Sequence, residues 1–81
     1  MYNTIKKAGR RLHTVIIMAR KTNGKIVTRE IEPYGYNYHK RKLYLVCWDV
    51  HKQGIRQFLA TNIMMAKETE NSFLPRYRIM L

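Results

Sequence analysis

Short strand-like segments separated by tight turns fill the middle of this chain and leave few architectures open to it. Residues 13–20 (HTVIIMAR) are apolar and β-branched, which is typical of a strand buried on both faces. Asn23 and Gly24 follow and indicate a hairpin turn, because both residue types tolerate the positive φ angles that such turns require. Residues 25–32 then alternate between apolar and polar side chains, as a half-buried strand does. This part of the chain therefore predicts a β-hairpin.

The rest of the chain continues the pattern of strands and turns. Pro33 is expected to mark the end or the edge of the second strand, because proline has no N–H group to donate to a neighbouring strand. Residues 34–38 are a tyrosine-rich stretch with a glycine that permits a bend. Residues 43–48 and 55–60 predict further strands, and residues after 60 form either a helical turn or a continuation of the last strand. About five short strands would leave costly edges in an open sheet, so closure into a small, strongly bent barrel is expected.

A short helix is expected before the strands. The chain has 81 residues, which allows one small domain. Ile5, Ala8 and Leu12 fall at the spacing of one helical face, so residues 1–12 predict a short helix. Residues 65–81 are weakly patterned and are interpreted as a C-terminal segment.

The charge of the chain is its strongest indication of function. Lys and Arg number 16 while Asp and Glu number 5, so the formal net charge is +11. Eight of the basic residues precede the first acidic residue, Glu30. Such a field gathers anions, so the charge alone predicts nucleic acid, an anionic membrane surface or a phosphorylated small ligand as the partner. A basic surface that serves only solubility is the alternative.

The sequence also indicates where the protein works. The apolar run at residues 15–19 is shorter than the core of a signal peptide and far shorter than a membrane span. The single cysteine, Cys47, fits a reducing compartment. We therefore expect a cytoplasmic protein that makes no contact with a membrane.

The residue types needed for catalysis or metal binding are not grouped in the sequence. Cys47 lies inside an apolar run, which favours a packed thiol over a nucleophile. The glycines are isolated and form no phosphate-binding loop. The three histidines have no metal-ligand spacing: they are His13, His39 and His51. We expect no enzymatic activity, no cofactor and no metal.

Three side chains on separate predicted strands stand out as a candidate anion site. Arg29 lies on a strand face that is otherwise apolar, Arg56 shares a face with Phe58, and Tyr44 belongs to the strand between them. An arginine on an apolar face needs a partner or a ligand, because an isolated buried charge is very costly. Guanidinium groups grip phosphate, and a phenol ring stacks on a base. The alternative is ordinary ion pairing at the rim of the barrel, for which the available partners are Glu30, Glu32 and Asp49.

Further basic residues are expected to draw a polyanion towards that site. They belong to the predicted helix and to the turn before the third strand, and they are Lys6, Lys7, Arg10, Arg11, Lys40, Arg41 and Lys42.

Several short motifs, in this order, make the chain similar to the WYL domain family. The motifs are Ile5-x-x-Ala8, Arg29-x-Ile31-x-Pro33, Leu43-Tyr44-Leu45 in place of Trp-Tyr-Leu, Arg56-x-Phe58, and Phe73 shortly before Pro75. The resemblance implies a mostly β (α+β) fold in a single domain, with a short N-terminal helix (1–12), a five-stranded Sm-like β-barrel (13–64) and the C-terminal segment (65–81). It also implies a groove lined by Arg29, Tyr44 and Arg56. Asn62 stands where the family has another groove arginine.

Together, the residues and the resemblance predict a non-enzymatic module of transcriptional or defence regulation. It would capture single-stranded DNA or RNA, or a nucleotide-like anionic effector, through a basic and aromatic groove. The resemblance and the unpaired edges also make a homodimer plausible. The alternative function is a protein–protein interaction module that docks on a partner regulator.

Overall fold

One helix packs on one five-stranded antiparallel sheet in the computed structural model, which describes all residues 1–81. In chain order the elements are α1 (Tyr2–Arg10), β1 (His13–Arg20), β2 (Ile26–His39), β3 (Lys42–Asp49), β4 (Gly54–Leu59), a 3₁₀ turn (Ala60–Asn62) and β5 (Ile63–Ser72). The strand order across the sheet is β4-β3-β2-β1-β5. The predicted hairpin of β1 and β2 is confirmed, with Gly24 at a positive φ of 85° in its turn.

Strand β2 is longer than the sequence predicted, and the expected end at Pro33 is wrong. β2 continues through the tyrosine-rich stretch to His39. Its ladder with β1 ends at Ile31, whereas its ladder with β3 continues past Pro33 with a shift of register between Pro33 and Gly35. Because Pro33 lies beyond the β1 ladder, that ladder needs no N–H from it, and proline is tolerated inside the strand.

Helix α1 covers one face of the sheet and completes a small core. Ile5 and Ala8, two of the residues predicted to share its inner face, are fully buried. Leu12 adopts a left-handed φ of 58°, so the helix stops earlier than predicted. The residues of this core face are Ile5, Ala8, Val15, Ile17, Ala19, Ile31, Leu45, Cys47 and Ile63. At nine residues, α1 is too short to cross a membrane, and no helix in the structure is long and apolar enough to do so.

The sheet has two free edges. β4 and β5 lie at opposite ends of the strand order, and no ladder joins them. The closed barrel expected from the sequence is therefore not confirmed, although the mostly β class with an N-terminal helix is.

The C-terminal residues fold back over the sheet. β5 runs across the boundary at residue 64 that divided the predicted barrel from the C-terminal segment. Phe73 is buried, and the N–H of Met80 donates to the carbonyl oxygen of Tyr34 at 2.7 Å. The side chain of Leu81 packs on Gly9 of α1, where a Cβ atom would collide with it. The returning chain thus runs beside β2, where Met80 forms a parallel bridge with Gly35, and it ends against α1.

Candidate functional site

A cavity of about 530 Å³ opens beside β4 and is strongly basic. Among its lining side chains only Asp49 is acidic, and it has no exposed surface. Its six basic lining residues are Arg20, Lys21, Arg29, Lys42, Lys52 and Arg56. We call this space the cationic cavity. An excess of positive charge in a concave surface concentrates anions there.

Strand register places the two predicted arginines on the same face of the sheet. Arg29 lies opposite Ile17 across the β1–β2 ladder, and Arg56 lies opposite Cys47 across the β3–β4 ladder. Residues directly opposite each other share a face. Ile17 and Cys47 are core residues, so both arginines project from the core face of the sheet. Their side chains line the cationic cavity, which lies beyond the packed interior.

Tyr44 also lines this cavity, beside β4. It lies opposite Leu59, which lines the same cavity. Successive side chains of a strand point to opposite faces, so Tyr44 lies on the face of β3 opposite that of the buried Leu45. The side chain of Tyr44 is half-buried. Its phenol O–H makes no hydrogen bond within the chain, so the ring and the hydroxyl group are both free to meet a ligand.

Asp49 holds one of the two arginines. Its Oδ1 accepts hydrogen bonds from the backbone N–H groups of His51 (3.0 Å) and Lys52 (2.9 Å) and so shapes the turn after β3. Its Oδ2 lies 3.4 Å from Nε of Arg29, close enough for an ion pair but without hydrogen-bond geometry. Ordinary ion pairing, the alternative interpretation of the sequence, therefore applies to Arg29. Arg56 is exposed and has no acidic partner.

Two further acids, Glu30 and Glu68, are engaged away from the cavity. Glu30 accepts hydrogen bonds from the hydroxyl group of Thr14 (2.6 Å) and the amide of Asn71 (2.9 Å). Glu68 pairs with Arg11 (2.8 Å) and lies 2.7 Å from Nδ1 of His13. Neither carboxylate lines the cationic cavity.

Glu32 is engaged by the returning C-terminal chain. It accepts a hydrogen bond from the hydroxyl group of Tyr34 (2.7 Å) and lies 3.2 Å from the guanidinium group of Arg76. Arg76 also stacks 4.2 Å above the ring of Trp48. Burial raises the pKa of Tyr34 to about 12.

Six of the predicted basic residues lie outside the cationic cavity. Arg11 is paired with Glu68, and Nε of Arg10 donates to the carbonyl oxygen of Leu81 at 3.2 Å. Lys40 and Arg41 form the exposed β2–β3 turn, with left-handed φ values of 49° and 65°. The helical pair Lys6 and Lys7 is likewise absent from the lining. Of the predicted set, the structure brings together Arg29, Lys42, Tyr44 and Arg56.

Sequence reasoning missed several residues of the cavity. Arg20 and Lys21 reach it from the end of β1 and the turn after it, and Lys52 reaches it from the turn after β3. Nothing in their local sequence distinguishes them from other exposed basic residues, because the approach of two distant turns depends on the tertiary fold. Asn62 lines the cavity too, at the position where the resemblance implied an arginine.

A second cavity, of about 370 Å³, lies on the other side of β4 and is mostly apolar. Its walls come from β2, β3, β4 and the returning C-terminal chain, and they include Val46, Ile55, Tyr77 and Met80. We call it the apolar cavity. Burial raises the pKa of Tyr36, another of its lining residues, to about 12.

The thiol of Cys47 is buried, as the sequence predicted. Desolvation, with a smaller contribution from the charge of Asp49, raises its pKa to about 12. A thiol with so high a pKa is a poor nucleophile. No group of three or more His, Cys, Asp and Glu side chains in the structure is arranged to hold a metal ion.

Comparison with known proteins gives two matches of different kinds. The family model of the WYL domain matches residues 1–68. Among solved structures, the chain is similar to proteasome accessory factor B/C (PafBC) of Arthrobacter aurescens, with a TM-score of 0.78 and 14% sequence identity. That alignment covers 88% of this chain and 11% of the other, so the likeness concerns the fold of a small part of PafBC. No curated protein sequence matches.

Proposed function

Because this chain belongs to the WYL domain family, we propose that it is a regulatory, non-enzymatic module that binds a phosphate-bearing anion in the cationic cavity. The anion is single-stranded nucleic acid or a nucleotide-like effector. One observation carries the proposal: Arg29, Tyr44 and Arg56, from three different strands, line one basic cavity in which the single acid is buried.

The lining residues have different roles in the proposed binding. Arg56 is exposed and unpaired, so its guanidinium group is free to take phosphate oxygens in a bidentate contact. Arg29 is oriented by Asp49 and offers a pre-positioned second charge. Tyr44 supplies a ring on which a base stacks. The basic residues outside the cavity contribute only to the long-range field that speeds the encounter.

The direct test is the binding of a labelled oligonucleotide of about ten nucleotides, measured by fluorescence anisotropy. Arg56→Ala is compared with Lys67→Ala, which removes the same charge from β5, outside the cavity. We expect Arg56→Ala to weaken binding about tenfold, since charge-assisted hydrogen bonds contribute roughly 1.5–3 kcal/mol. Equal losses in both variants would mean that only the overall charge matters.

A nucleotide-like effector is tested separately from nucleic acid. A panel of mononucleotides and dinucleotides is screened for a rise in the melting temperature, because a ligand that binds only the folded state stabilises it. Stabilisation that Arg56→Ala abolishes favours the effector. The cytoplasmic location and the homodimer expected from the sequence belong to this proposal as well.

A protein-interaction role is the second candidate function. It is favoured by the two unpaired sheet edges and by the apolar cavity beside one of them.

A further inference from the structure

The apolar cavity is a second concave space, and anion binding in the cationic cavity makes no use of it. No residue lines both cavities. At about 370 Å³ the apolar cavity lies within the range of roughly 300–1,000 Å³ that is usual for small-molecule sites. Its lining is mostly hydrophobic and includes three tyrosines, which is also the usual composition of such sites. The cavity therefore has the size and the lining of a site for a small apolar ligand.

The aromatic walls of the apolar cavity are held in place by contacts within the chain. The ring of Tyr34 meets the ring of Tyr77 edge-on, with the ring centroids 5.4 Å apart. The ring of Tyr36 stacks on that of Tyr2, with the centroids 5.0 Å apart. The N–H of Met80 donates to the carbonyl oxygen of Tyr34, which ties the returning chain to β2. Because walls that are already ordered lose little conformational entropy when a ligand enters, the cavity is prepared for binding.

Three apolar side chains of the lining are also open to solvent. Ile55 is 50% exposed, Tyr77 is 47% exposed and Met80 is 70% exposed. They belong to β4 and to the returning C-terminal chain, and the fold brings them together at one cavity. A ligand with a hydrocarbon body would remove this apolar surface from water, which favours binding.

Arg78 is the one charged residue in the lining of the apolar cavity. It is exposed, and none of the four ion pairs in the structure includes it. A guanidinium group is suited to a carboxylate, because it donates two parallel hydrogen bonds to the two carboxylate oxygens. An apolar lining with a single free cation therefore favours a ligand that has a hydrocarbon body and one carboxylate.

We propose that the apolar cavity binds a small organic acid, which has an aromatic or aliphatic hydrocarbon body and a single carboxylate. The body lies against Tyr36, Val46 and Ile55, and the carboxylate meets Arg78. A phosphate group carries nearly two negative charges at neutral pH and finds six basic residues in the cationic cavity, so the two cavities favour different anions. The binding of the organic acid does not depend on nucleic-acid binding, because no residue of the cationic cavity takes part in it.

The first test is isothermal titration of the full chain with naphthoate, an aromatic acid, and octanoate, an aliphatic one. At least one of the two acids is expected to bind, and the tighter of them identifies the preferred body. Its neutral amide, naphthamide or octanamide, is expected to bind about fivefold more weakly, as the loss of an ion pair at an exposed site predicts. Absence of binding by both acids, or equal affinities of an acid and its amide, would overturn the proposal.

Two isoleucines of equal exposure provide a matched pair of variants that locates the site. Ile55→Glu is expected to weaken binding of the acid about tenfold or more, since it removes an apolar contact and adds repulsion. Ile26→Glu introduces the same charge at a residue that is also 50% exposed and lines neither cavity, and it is expected to change binding little. Equal losses in the two variants would contradict binding in the apolar cavity.

Two exposed arginines provide the matching pair for the carboxylate contact. Arg78→Gln is expected to remove the difference in affinity between the acid and its amide. Arg41→Gln removes the same charge from the exposed β2–β3 turn, outside both cavities, and is expected to keep that difference. A difference that survives in the Arg78 variant would mean that this residue does not meet the carboxylate.

Methyl NMR on the unmodified chain gives an independent readout. The acid that binds is expected to shift the methyl resonances of Val46, Ile55 and Met80. Shifts that centre instead on Val27 and Leu59, which line the cationic cavity, would place the acid there and overturn the proposal. A failure of oligonucleotide binding would leave all these expectations intact, so the two proposals are tested separately.

Discussion

The guanidinium Nε of Arg29 lies 3.4 Å from Oδ2 of Asp49, a carboxylate that has no exposed surface. The same carboxylate fixes the turn after β3 through two backbone N–H groups. Arg29 is therefore both a candidate anion ligand and the counter-charge of a buried acid. Arg56 has no such second role, which allows the contributions of the two arginines to be separated.

Arg29→Ala is expected to destabilise the fold, whereas Arg56→Ala is not. Loss of Arg29 leaves the Asp49 carboxylate buried beside no counter-charge, at a cost of roughly 1–3 kcal/mol, because Arg29 itself is partly solvated. That cost corresponds to a fall in melting temperature of roughly 4–24 °C in a domain of this size. Arg56→Ala is expected to stay within about 0.5 kcal/mol of the unaltered protein. Thermal denaturation by circular dichroism distinguishes the two; equal melting temperatures would mean that the Arg29–Asp49 pair does not stabilise the fold.

The salt dependence of oligonucleotide binding should report how many cavity cations meet phosphate. Each phosphate contact on a single strand contributes a slope of about −0.7 in a plot of log K against log salt concentration. Arg56→Ala is expected to make the slope shallower by about that amount, and Lys67→Ala to leave it unchanged. A flat response in the unaltered protein would contradict electrostatic capture altogether.

The sequence predicted the features that depend on residues close together in the chain. The hairpin of β1 and β2 follows from Asn23-Gly24 and from alternation, and the structure confirms it. Alternation also singled out Arg29, Tyr44 and Arg56, which line one cavity, although their role in binding stays a prediction.

Features that depend on the meeting of distant segments were not predictable in this way. The effect of Pro33 depends on where β1 stops pairing, and local sequence does not encode that point. Lys52 enters the cavity only because the turn after β3 lies near β2 and β4 in space. The pairing of Asp49 with Arg29 was one of several options until the register of the sheet was known.

Asn62→Arg should strengthen anion binding. Asn62 and Arg56 both line the cationic cavity, so a guanidinium group at residue 62 would add a positive charge to the same space. Affinity for the oligonucleotide is expected to rise several-fold and the salt slope to steepen by about 0.7. Thr61→Arg, on the exposed neighbour that is not part of the lining, adds the same charge and is expected to do much less. A similar gain in both variants would indicate a general field effect.

The stability of the fold is expected to fall in alkaline solution, first through Cys47. Burial raises the pKa of its thiol to about 12, whereas a thiol in an unfolded chain titrates near 8.5. Above about pH 9 the unfolded state therefore releases a proton that the folded state retains, and the free energy of unfolding falls by up to about 1.4 kcal/mol per pH unit. Tyr34 and Tyr36, whose pKa values are raised to about 12, add to the decline above about pH 10.

The share of the thiol in this decline is measured by comparing the unaltered protein with Cys47→Ala. The cavity that the substitution leaves in the core lowers stability by an amount that does not depend on pH. It also removes the thiol proton, so between about pH 8.5 and 10 the variant is expected to lose stability more slowly with pH. Lysine titration and the tyrosines act equally on both proteins and cancel in the difference. Parallel curves from urea denaturation over this range would mean that the thiol titrates alike in the folded and unfolded states.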